Sequence, residues 1–273
     1  MDWSKIKTIF IVSFLVLDIY LVYEFFKIQV TNEYEIQTEA SEESLLKVNE
    51  IEFVQLPTGY QEEYYIKARP KAFTEKDEER AIYSDQDVDI ISGTIIKSDL
   101  HKPYKVKEKF EPSQLSTFIK TNILYGEQYR FWEKDDDERT ITYYQQYKGK
   151  PFYKNNQGRL SFQLNEDDEI IKYEQTFLSD IEELQEPKKI IQPIKAIETL
   201  VHSDYIEPKS KITNVELGYY TLVPLEDTLV MNPAWCFVIN GEKKLFVSAF
   251  EGKIVDLENQ EEELIPKENK GME

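Results

Sequence analysis

The hydrophobic residues of this chain are concentrated near its N-terminus. Residues 8–26 form an almost unbroken apolar run, with the carboxylate of Asp18 near its middle. A helix of that length spans about 28 Å at a rise of about 1.5 Å per residue, which is close to the thickness of a bilayer's hydrocarbon core. The pattern therefore predicts a single transmembrane helix over residues 8–26.

The two flanks of this run differ in charge. Lysines stand at positions 5 and 7 before it, whereas three glutamates follow it within residues 33–39. Because basic flanks stay in the cytoplasm, we expect a cytoplasmic N-terminus over residues 1–7 and an extracellular C-terminal domain on the cell membrane. A cleaved signal peptide would have a shorter apolar core followed by small residues, but residues 23–27 read YEFFK. The run thus predicts an uncleaved signal anchor.

Alternating helices and strands are predicted after a polar stretch, residues 27–40, which is typical of a stalk. One helix is expected from Ser41 to about Val54. A second, of about 13 residues, is expected from Pro112, because apolar residues recur there at helical spacing. Alternating and β-branched runs predict strands at 64–66, 81–83, 90–96, 128–132, 140–147, 151–153, 159–164 and 169–177.

A second cycle of the same kind begins at Pro193. Apolar residues at positions 194, 197, 200 and 201 form one helical face, and a strand is predicted over 212–223. Asn240-Gly241 then separates two apolar strands, which predicts a hairpin with a type I′ turn. Residues 253–257 complete an antiparallel meander.

The two cycles resemble each other in sequence order. "NQGRLSFQLNEDDEIIKYE" and "NGEKKLFVSAFEGKIVDLE" both contain a glycine turn, an apolar strand, an acidic turn and an isoleucine-containing strand. We therefore predict an α+β fold with two extracytoplasmic lobes, each a helix packed on an antiparallel sheet. The lobes are expected over residues 41–186 and 187–260, followed by a disordered acidic tail over 261–273.

Charge and cysteine content narrow the class of protein. The net charge is −19, and residues 1–27 contain three acidic and three basic residues, so the whole excess lies beyond residue 27. An acidic surface disfavours nucleic acid and anionic lipid headgroups as partners. Cys236 is the only cysteine, which excludes an internal disulfide, so the fold must depend on core packing.

Residues suited to chemistry are sparse in this sequence. Residues 85–89 (DQDVD) alternate like a calcium loop, but the sixth and twelfth positions hold isoleucine in place of glycine and glutamate. His101 and His202 are far apart and belong to no cluster with the spacing of zinc ligands. Cys236 stands between two aromatic residues in an apolar strand, which predicts a buried, inert thiol. We therefore predict a non-enzymatic protein without catalytic, cofactor-binding or metal-binding residues.

The candidate partner-binding site lies in the apolar run. A charge at that depth costs about 2.5 to 3.5 kcal/mol and usually marks a polar partner. One explanation is a hydrogen bond to a partner helix that fixes register; the other is contact with water at the outer leaflet, or protonation. Helical spacing places the carboxylate among bulky apolar side chains, and the predicted partner-binding face is Phe14, Leu15, Asp18, Leu21, Val22 and Phe25.

Several segments together resemble one known family. They are "MDWSKIKTIFIVSFLVLDIYL", "ITYYQQYKGKPFYKN" with "KYEQTFLSDIEEL", "IKAIETL" with "ITNVELGYY", and "NPAWCFVINGEKKLFVSAF". In this order they resemble the YycI (WalI) family over nearly the whole chain, least in residues 28–107. The resemblance implies a single-pass regulator of low-GC Gram-positive bacteria. Such a regulator acts with its paralogue YycH on the sensor histidine kinase WalK of the WalK/WalR two-component system, which controls cell-wall metabolism.

The resemblance also bears on fold and chemistry. It implies a double α+β ectodomain whose C-terminal helix and meander look like PepSY-type folds, and it carries over no catalytic residue. Two functional hypotheses follow: a protein that regulates a kinase through helix and ectodomain contacts, or an extracytoplasmic ligand-binding or PepSY-like protease-inhibitory module. A broad exposed apolar patch would favour the first, and an enclosed pocket lined by tyrosine or tryptophan would favour the second.

Overall fold

A computed structural model describes residues 7, 10–22, 46, 48–82, 85–107, 109–225 and 227–257. The chain divides into two units, residues 1–48 and 49–273. In the first unit residues 10–22 are helical. No helix within the described residues combines the length and the apolar character that a membrane crossing requires. The transmembrane helix over 8–26 therefore stays a prediction, and its two ends, the stalk and the acidic tail lie outside the described residues.

The second unit contains three helices and fourteen strands among its described residues. In chain order they are β1 Glu52–Phe53, β2 Glu62–Pro70, α1 Glu75–Ile82, β3 Gln86–Ile91, β4 Ile95–Lys105, α2 Ser116–Asn122, β5 Tyr129–Asp135, β6 Thr140–Tyr147, β7 Lys150–Pro151, β8 Arg159–Leu164, β9 Glu169–Gln175, β10 Leu178–Lys189, α3 Pro193–His202, β11 Lys211–Leu225, β12 Thr228–Ile239, β13 Lys243–Ser248 and β14 Ile254–Val255.

Strand β12 organises the first sheet. It pairs with β11 along its length, with β13 through residues 234–239, and with β2 through residues 229–231. β10 extends the sheet beyond β2, and β14 extends it beyond β13. The pairing of β1 with β11 is parallel, whereas the other pairs of this sheet are antiparallel. This sheet therefore draws strands from both predicted lobes.

The second sheet is antiparallel, with the order β3-β4-β9-β8-β6-β5 and β7 attached to β6. In β8 the side chains of Leu160, Phe162 and Leu164 are buried, while the residues between them are partly exposed. They share a core with Phe118 and Ile119 of α2, which follows a short 3₁₀ turn at Pro112–Leu115. The mixed α+β class, the helix after Pro112 and the strand over 159–164 are thereby confirmed.

The predicted hairpin at Asn240-Gly241 is confirmed as well. Both residues have positive φ, 54° and 83°, as a type I′ turn requires. The Glu242 amide donates to the Ile239 carbonyl at 3.1 Å, which closes the turn, and Ile239 pairs with Lys243, so residues 240–242 connect the two strands. Asn240 Oδ1 accepts a hydrogen bond from the Lys211 amide at 2.8 Å. The asparagine therefore ties the hairpin to β11 in addition to forming the turn.

Three predicted elements are wrong. The strand expected over 90–96 is interrupted by a turn at residues 92–94, which connects β3 to β4. Residues 81–83 were expected to be a strand, but Ala81 and Ile82 end helix α1. Asp77 fixes the start of that helix, because its carboxylate accepts hydrogen bonds from the Thr74 amide and hydroxyl at 3.0 and 2.9 Å, as in a capping box. The helix from Ser41 does not reach Val54, because Asn49 and Glu50 form a turn and β1 follows.

A short crossing segment, residues 150–153, joins the two sheets. β7 belongs to the second sheet, whereas Phe152 packs among Ile66, Leu178 and Met231 in the core of the first. The Tyr153 amide donates to the Tyr219 carbonyl at 2.7 Å. Gly218 permits this approach, because a Cβ there would lie 2.5 Å from the Pro151 carbonyl oxygen and 2.5 Å from the Tyr153 ring.

We expect Gly218→Ala to lower the free energy of unfolding by about 1 to 3 kcal/mol, because the added methyl group forces the crossing segment away from β11. Thermal and urea unfolding monitored by circular dichroism measure this change. Gly241→Asn is the matched control, since Gly241 has open space around its Cβ position and asparagine tolerates positive φ. A Gly218→Ala protein as stable as wild type would contradict the close approach.

Candidate interaction sites

Most of the predicted partner-binding face lies on the described helical residues 10–22. The side chains of Phe14, Leu15, Leu21 and Val22 are between 52% and 56% exposed, and Asp18 is exposed among them. Residues three and four apart share one face of a helix, so the carboxylate has apolar neighbours on both sides. Phe25, the sixth predicted residue, lies outside the described residues. Nothing in this geometry identifies the partner, and the face stays a prediction.

A second candidate site forms where β5 meets β13. The pairing of β5 with β6 shifts register between Phe131 and Glu133, so Trp132 is the extra residue of a β-bulge, and bulges redirect side chains. Trp132 packs against the rings of Tyr144, Tyr153 and Phe246, with centroids 5.6, 6.0 and 6.2 Å away. An aromatic cluster thus connects the two sheets.

Lys244 of β13 lies directly over this cluster. Its ammonium is 3.7 Å from the centre of the Trp132 ring, donates to the Trp132 carbonyl at 3.1 Å and to Glu133 at 3.3 Å. A second ion pair also connects the two sheets nearby. It joins Arg130 of β5 to Glu216 of β11 at 2.7 Å. Cation–π contacts of this kind contribute about 0.5 to 2 kcal/mol, depending on exposure. The lysine therefore orders this edge of β5.

Two cavities flank Trp132 and Lys244. The larger is an open groove of about 310 Å³, and the smaller holds about 190 Å³. The groove is lined by Trp132, Glu133, Lys154, Tyr205, Glu242, Lys243, Lys244, Leu245, Phe246, Ile254, Val255, Asp256 and Leu257. Sequence reasoning missed it because its residues come from separate segments; the signal available was a Lys243-Lys244 pair opening an otherwise apolar strand.

Cys236 lines the smaller cavity but is 1% exposed. Burial is the largest cause that raises the pKa of its thiol well above the ordinary value, with the Glu216 carboxylate adding to the effect. The thiol therefore remains protonated at neutral pH, and the predicted burial is confirmed. Nucleophilic chemistry requires the thiolate, so this cysteine has a packing role.

The histidines lie in different places. His202 is the last residue of α3. His101, in β4, is placed between two carboxylates, with Nδ1 3.3 Å from Asp85 and Nε2 3.0 Å from Asp87. The DQDVD segment is mostly strand, because β3 starts at Gln86. Across the described ranges, no group of three or more His, Cys, Asp or Glu side chains has an arrangement suited to a metal ion.

The chain is similar to known proteins in sequence and in fold. A family model described as "YycI protein" matches residues 31–250, more than half of the chain. No curated protein matches the sequence. Among solved structures, the fold is similar to an uncharacterized protein from Eubacterium rectale ATCC 33656, with 11% identity and a TM-score of 0.47 over 76% of this chain and 89% of that one. It is also similar to the Bacillus megaterium YpeB C-terminal domain, with 13% identity and a TM-score of 0.36 over 80% and 96%.

His101 provides a pH-dependent test of the β3–β4 pairing. Hydrogen bonds to Asp87, and then to Asp85, raise the pKa of His101 above its ordinary value. Because the folded-state pKa is the higher one, the stabilisation is fully present below the unfolded-state pKa of about 6.5 and is lost as pH rises through the folded-state pKa. We expect an NMR titration of the imidazole to show the raised pKa, and Asp87→Asn to return it toward about 6.5.

Asp89→Asn is the matched control for this titration, because Asp89 is an exposed carboxylate on the same face of β3. It should leave the His101 pKa nearly unchanged. Equal effects of the two substitutions would show that general surface charge, rather than the two contacts, sets the pKa.

Proposed function

Because the chain belongs to the YycI family, we propose that it is a membrane-anchored, non-enzymatic accessory regulator of the WalK sensor histidine kinase. It acts together with its YycH-like paralogue and thereby influences the control of cell-wall metabolism by the WalK/WalR system. The family match over residues 31–250 is the observation that carries this proposal. A second observation supports a contact between transmembrane helices as the mechanism. The described helical residues 10–22 are exposed and apolar, with the Asp18 carboxylate among them.

The membrane part of the proposal concerns residues 8–26. They anchor the protein as a single-pass helix, with residues 1–7 in the cytoplasm and the domain beyond residue 40 outside the cell. A helical surface that is apolar apart from one carboxylate is suited to lipid and to partner helices rather than to water. Apolar residues of the partner-binding face supply packing, while Asp18 forms a hydrogen bond to a polar group of the partner helix and fixes its register.

The extracellular part of the proposal concerns the unit that contains the two sheets. Its surface is acidic, because residues 49–273 contain 44 acidic and 29 basic residues, a net charge of −15. Such a charge steers association toward basic surfaces and away from anionic polymers. We place the contact with the YycH-like paralogue in this unit, in addition to the helix contacts in the membrane.

The alternative function, an extracytoplasmic ligand-binding or PepSY-like inhibitory module, has one supporting observation. The groove beside β13 is lined by Trp132 and Tyr205, aromatic residues of the kind found in ligand sites. It is an open groove rather than an enclosed pocket, so it does not displace the regulatory proposal. Binding of a ligand there would add an input to the regulator.

Asp18 provides the direct test of the membrane contact. We expect Asp18→Leu to keep the protein inserted and abundant but to alter WalK output, because the register-setting hydrogen bond is lost. Intramembrane hydrogen bonds average only about 0.6 kcal/mol, so binding itself should weaken by roughly threefold or less. A reporter gene controlled by WalR, measured at equal protein abundance, follows the output.

Two control variants accompany this experiment. Asp18→Asn preserves a hydrogen-bonding group and should retain most of the function, and Val16→Leu alters the opposite side of the helix and should behave like wild type. Wild-type output from Asp18→Leu would show that the carboxylate is tolerated in the membrane without contacting a partner.

The extracellular contact requires a separate measurement. Stable protein interfaces bury about 1,200 to 2,000 Å², so we expect residues 41–273 and the ectodomain of the YycH-like paralogue to associate at tens of micromolar in sedimentation velocity. Added salt should weaken the association, because the acidic surface contributes to it. Two independent species at all concentrations would restrict the contact to the membrane helices.

A further inference from the structure

Strand β1 is an exposed apolar edge of the first sheet. It stands at the end of the strand order of that sheet, beside β11. The Phe53 side chain is 40% exposed and that of Val54, the next residue, is 36% exposed. Because successive side chains of a strand point to opposite faces of the sheet, both faces carry an exposed apolar residue at this edge. Gln55 continues the exposed segment.

The backbone of β1 also directs hydrogen-bonding groups away from the sheet. The Glu52 amide donates inward to the Ser210 carbonyl at 3.1 Å. The Val54 amide donates inward to the Ile212 carbonyl at 3.2 Å. Successive residues of a strand direct their N–H and C=O groups to opposite sides, so the N–H and C=O of Phe53 point outward. An edge of this kind can accept a further strand.

Two longer edge strands are protected against such pairing. β3, at the end of the second sheet, carries the exposed carboxylates of Asp87 and Asp89. β10, at an edge of the first sheet, contains Pro187 and exposed acidic residues at positions 180, 182, 183 and 186. Charged residues and proline on an edge strand oppose pairing with another chain. The exposed apolar pair of β1 is the contrary case.

The charges beside β1 are matched locally. Glu50 pairs with Lys209 at 3.9 Å, and Glu52 pairs with Lys211 at 3.3 Å. Residues 49–273 carry a net charge of −15, so two copies of this unit repel each other in general. The repulsion is weakest where each carboxylate has a lysine beside it. The neutral, apolar edge at β1 is therefore a place where a second copy can approach.

We propose that β1 pairs with β1 of a second copy of this chain, antiparallel and across a twofold axis, so that the first sheets of the two copies become continuous. Such an interface is isologous, because each copy contributes the same strand. With Phe53 opposite Phe53 of the second copy, the two rings lie side by side. Glu52 then lies opposite Val54 of the second copy, so no two carboxylates face each other. The inference does not depend on the kinase proposal, since it concerns only β1.

The length of β1 determines how strong this contact can be. Stable protein interfaces bury about 1,200 to 2,000 Å² in total. β1 has two residues, so two such strands with their flanking residues bury less than that. We therefore expect a weak, reversible dimer that forms at hundreds of micromolar, and a covalent trap is the sensitive way to detect it.

Proline at position 53 tests the outward-facing backbone. Phe53→Pro removes an N–H that points away from β11 and preserves the inward amides on either side, and proline is compatible with an edge strand. We expect the full-length protein in detergent micelles to self-associate in sedimentation velocity. Phe53→Pro should weaken the association at least tenfold, whereas Phe53→Val, which keeps the N–H, should weaken it threefold or less. An unfolding midpoint equal to that of wild type shows that each variant is folded.

A disulfide can capture the proposed pairing directly. Opposite residues of a hydrogen-bonded antiparallel pair have Cα atoms about 5.5 Å apart, a separation that a disulfide spans. With oxidised glutathione, we expect Phe53→Cys to form a covalent dimer, while the native Cys236 is buried and does not react. Ile91→Cys, at an apolar position of β3 that is 42% exposed, is the matched control and should remain monomeric. Val48→Cys, at a position 80% exposed, should form at least fivefold less covalent dimer than Phe53→Cys.

Three results would overturn the inference. A monomer at every concentration, without a covalent dimer of Phe53→Cys, would mean that β1 is open to a different protein or to none. Equal cross-linking of Val48→Cys and Phe53→Cys would mean that two copies meet through their N-terminal helices. Wild-type association of Phe53→Pro would mean that they meet through another surface. If Phe53→Pro does not fold, the comparison of the cysteine variants alone decides.

Discussion

The contact between the crossing segment, residues 150–153, and strand β11 is the constraint on which the rest of the second unit depends. The Tyr153 amide donates to the Tyr219 carbonyl at 2.7 Å and so holds the two sheets against each other. This close approach is possible because Gly218 has no side chain. Phe152 fills the core of the first sheet, while Lys150 and Pro151 before it pair with β6 of the second. Both the aromatic cluster at Trp132 and the groove beside it exist because the sheets meet at this distance.

A buried ion pair reinforces the same contact. Lys150 of the crossing segment pairs with Glu63 of β2, and Glu63 also accepts a hydrogen bond from the Tyr219 hydroxyl at 2.8 Å. Taking both charges out of water costs several kcal/mol per ion, which their attraction repays only with good geometry. The Lys150 side chain keeps 17% exposure and the Glu63 side chain 7%, so removal of Lys150 alone would leave the Glu63 carboxylate buried without its cation.

The sequence contained much of the local structure and little of the long-range pairing. Strand β8 and the turn at Asn240-Gly241 were predictable because alternation and turn chemistry depend on neighbouring residues. Strand β10 gave no such signal, since it is an edge strand rich in charges and contains Pro187, as edge strands often do. Its partner β2 is more than 100 residues earlier, and pairing at that separation leaves no periodicity in the sequence.

The same distinction applies to the candidate sites. The predicted face around Asp18 depends on hydropathy alone, because one contiguous apolar run contains it. The groove depends on a bulge that turns Trp132 toward the other sheet and on Lys244, more than 100 positions later in the chain. No local sequence pattern therefore predicts the groove. In helix α1 a local signal was present but was misread. Thr74 and Asp77 form the cap at its start, whereas the apolar residues at its end, Ala81 and Ile82, resembled a strand.

The parallel pairing of β1 with β11 gives the domain a defined mechanical property. β1 is the first strand after residue 48, and it is held by the Glu52 amide bonded to Ser210 and the Val54 amide bonded to Ile212. Tension applied to the chain from its N-terminal side acts along β1, and it loads these hydrogen bonds together in shear rather than one after another as in peeling. Resistance to pulling is then governed by the rate at which this short strand detaches, so the attachment works as a stiff link under brief loads and yields under sustained ones.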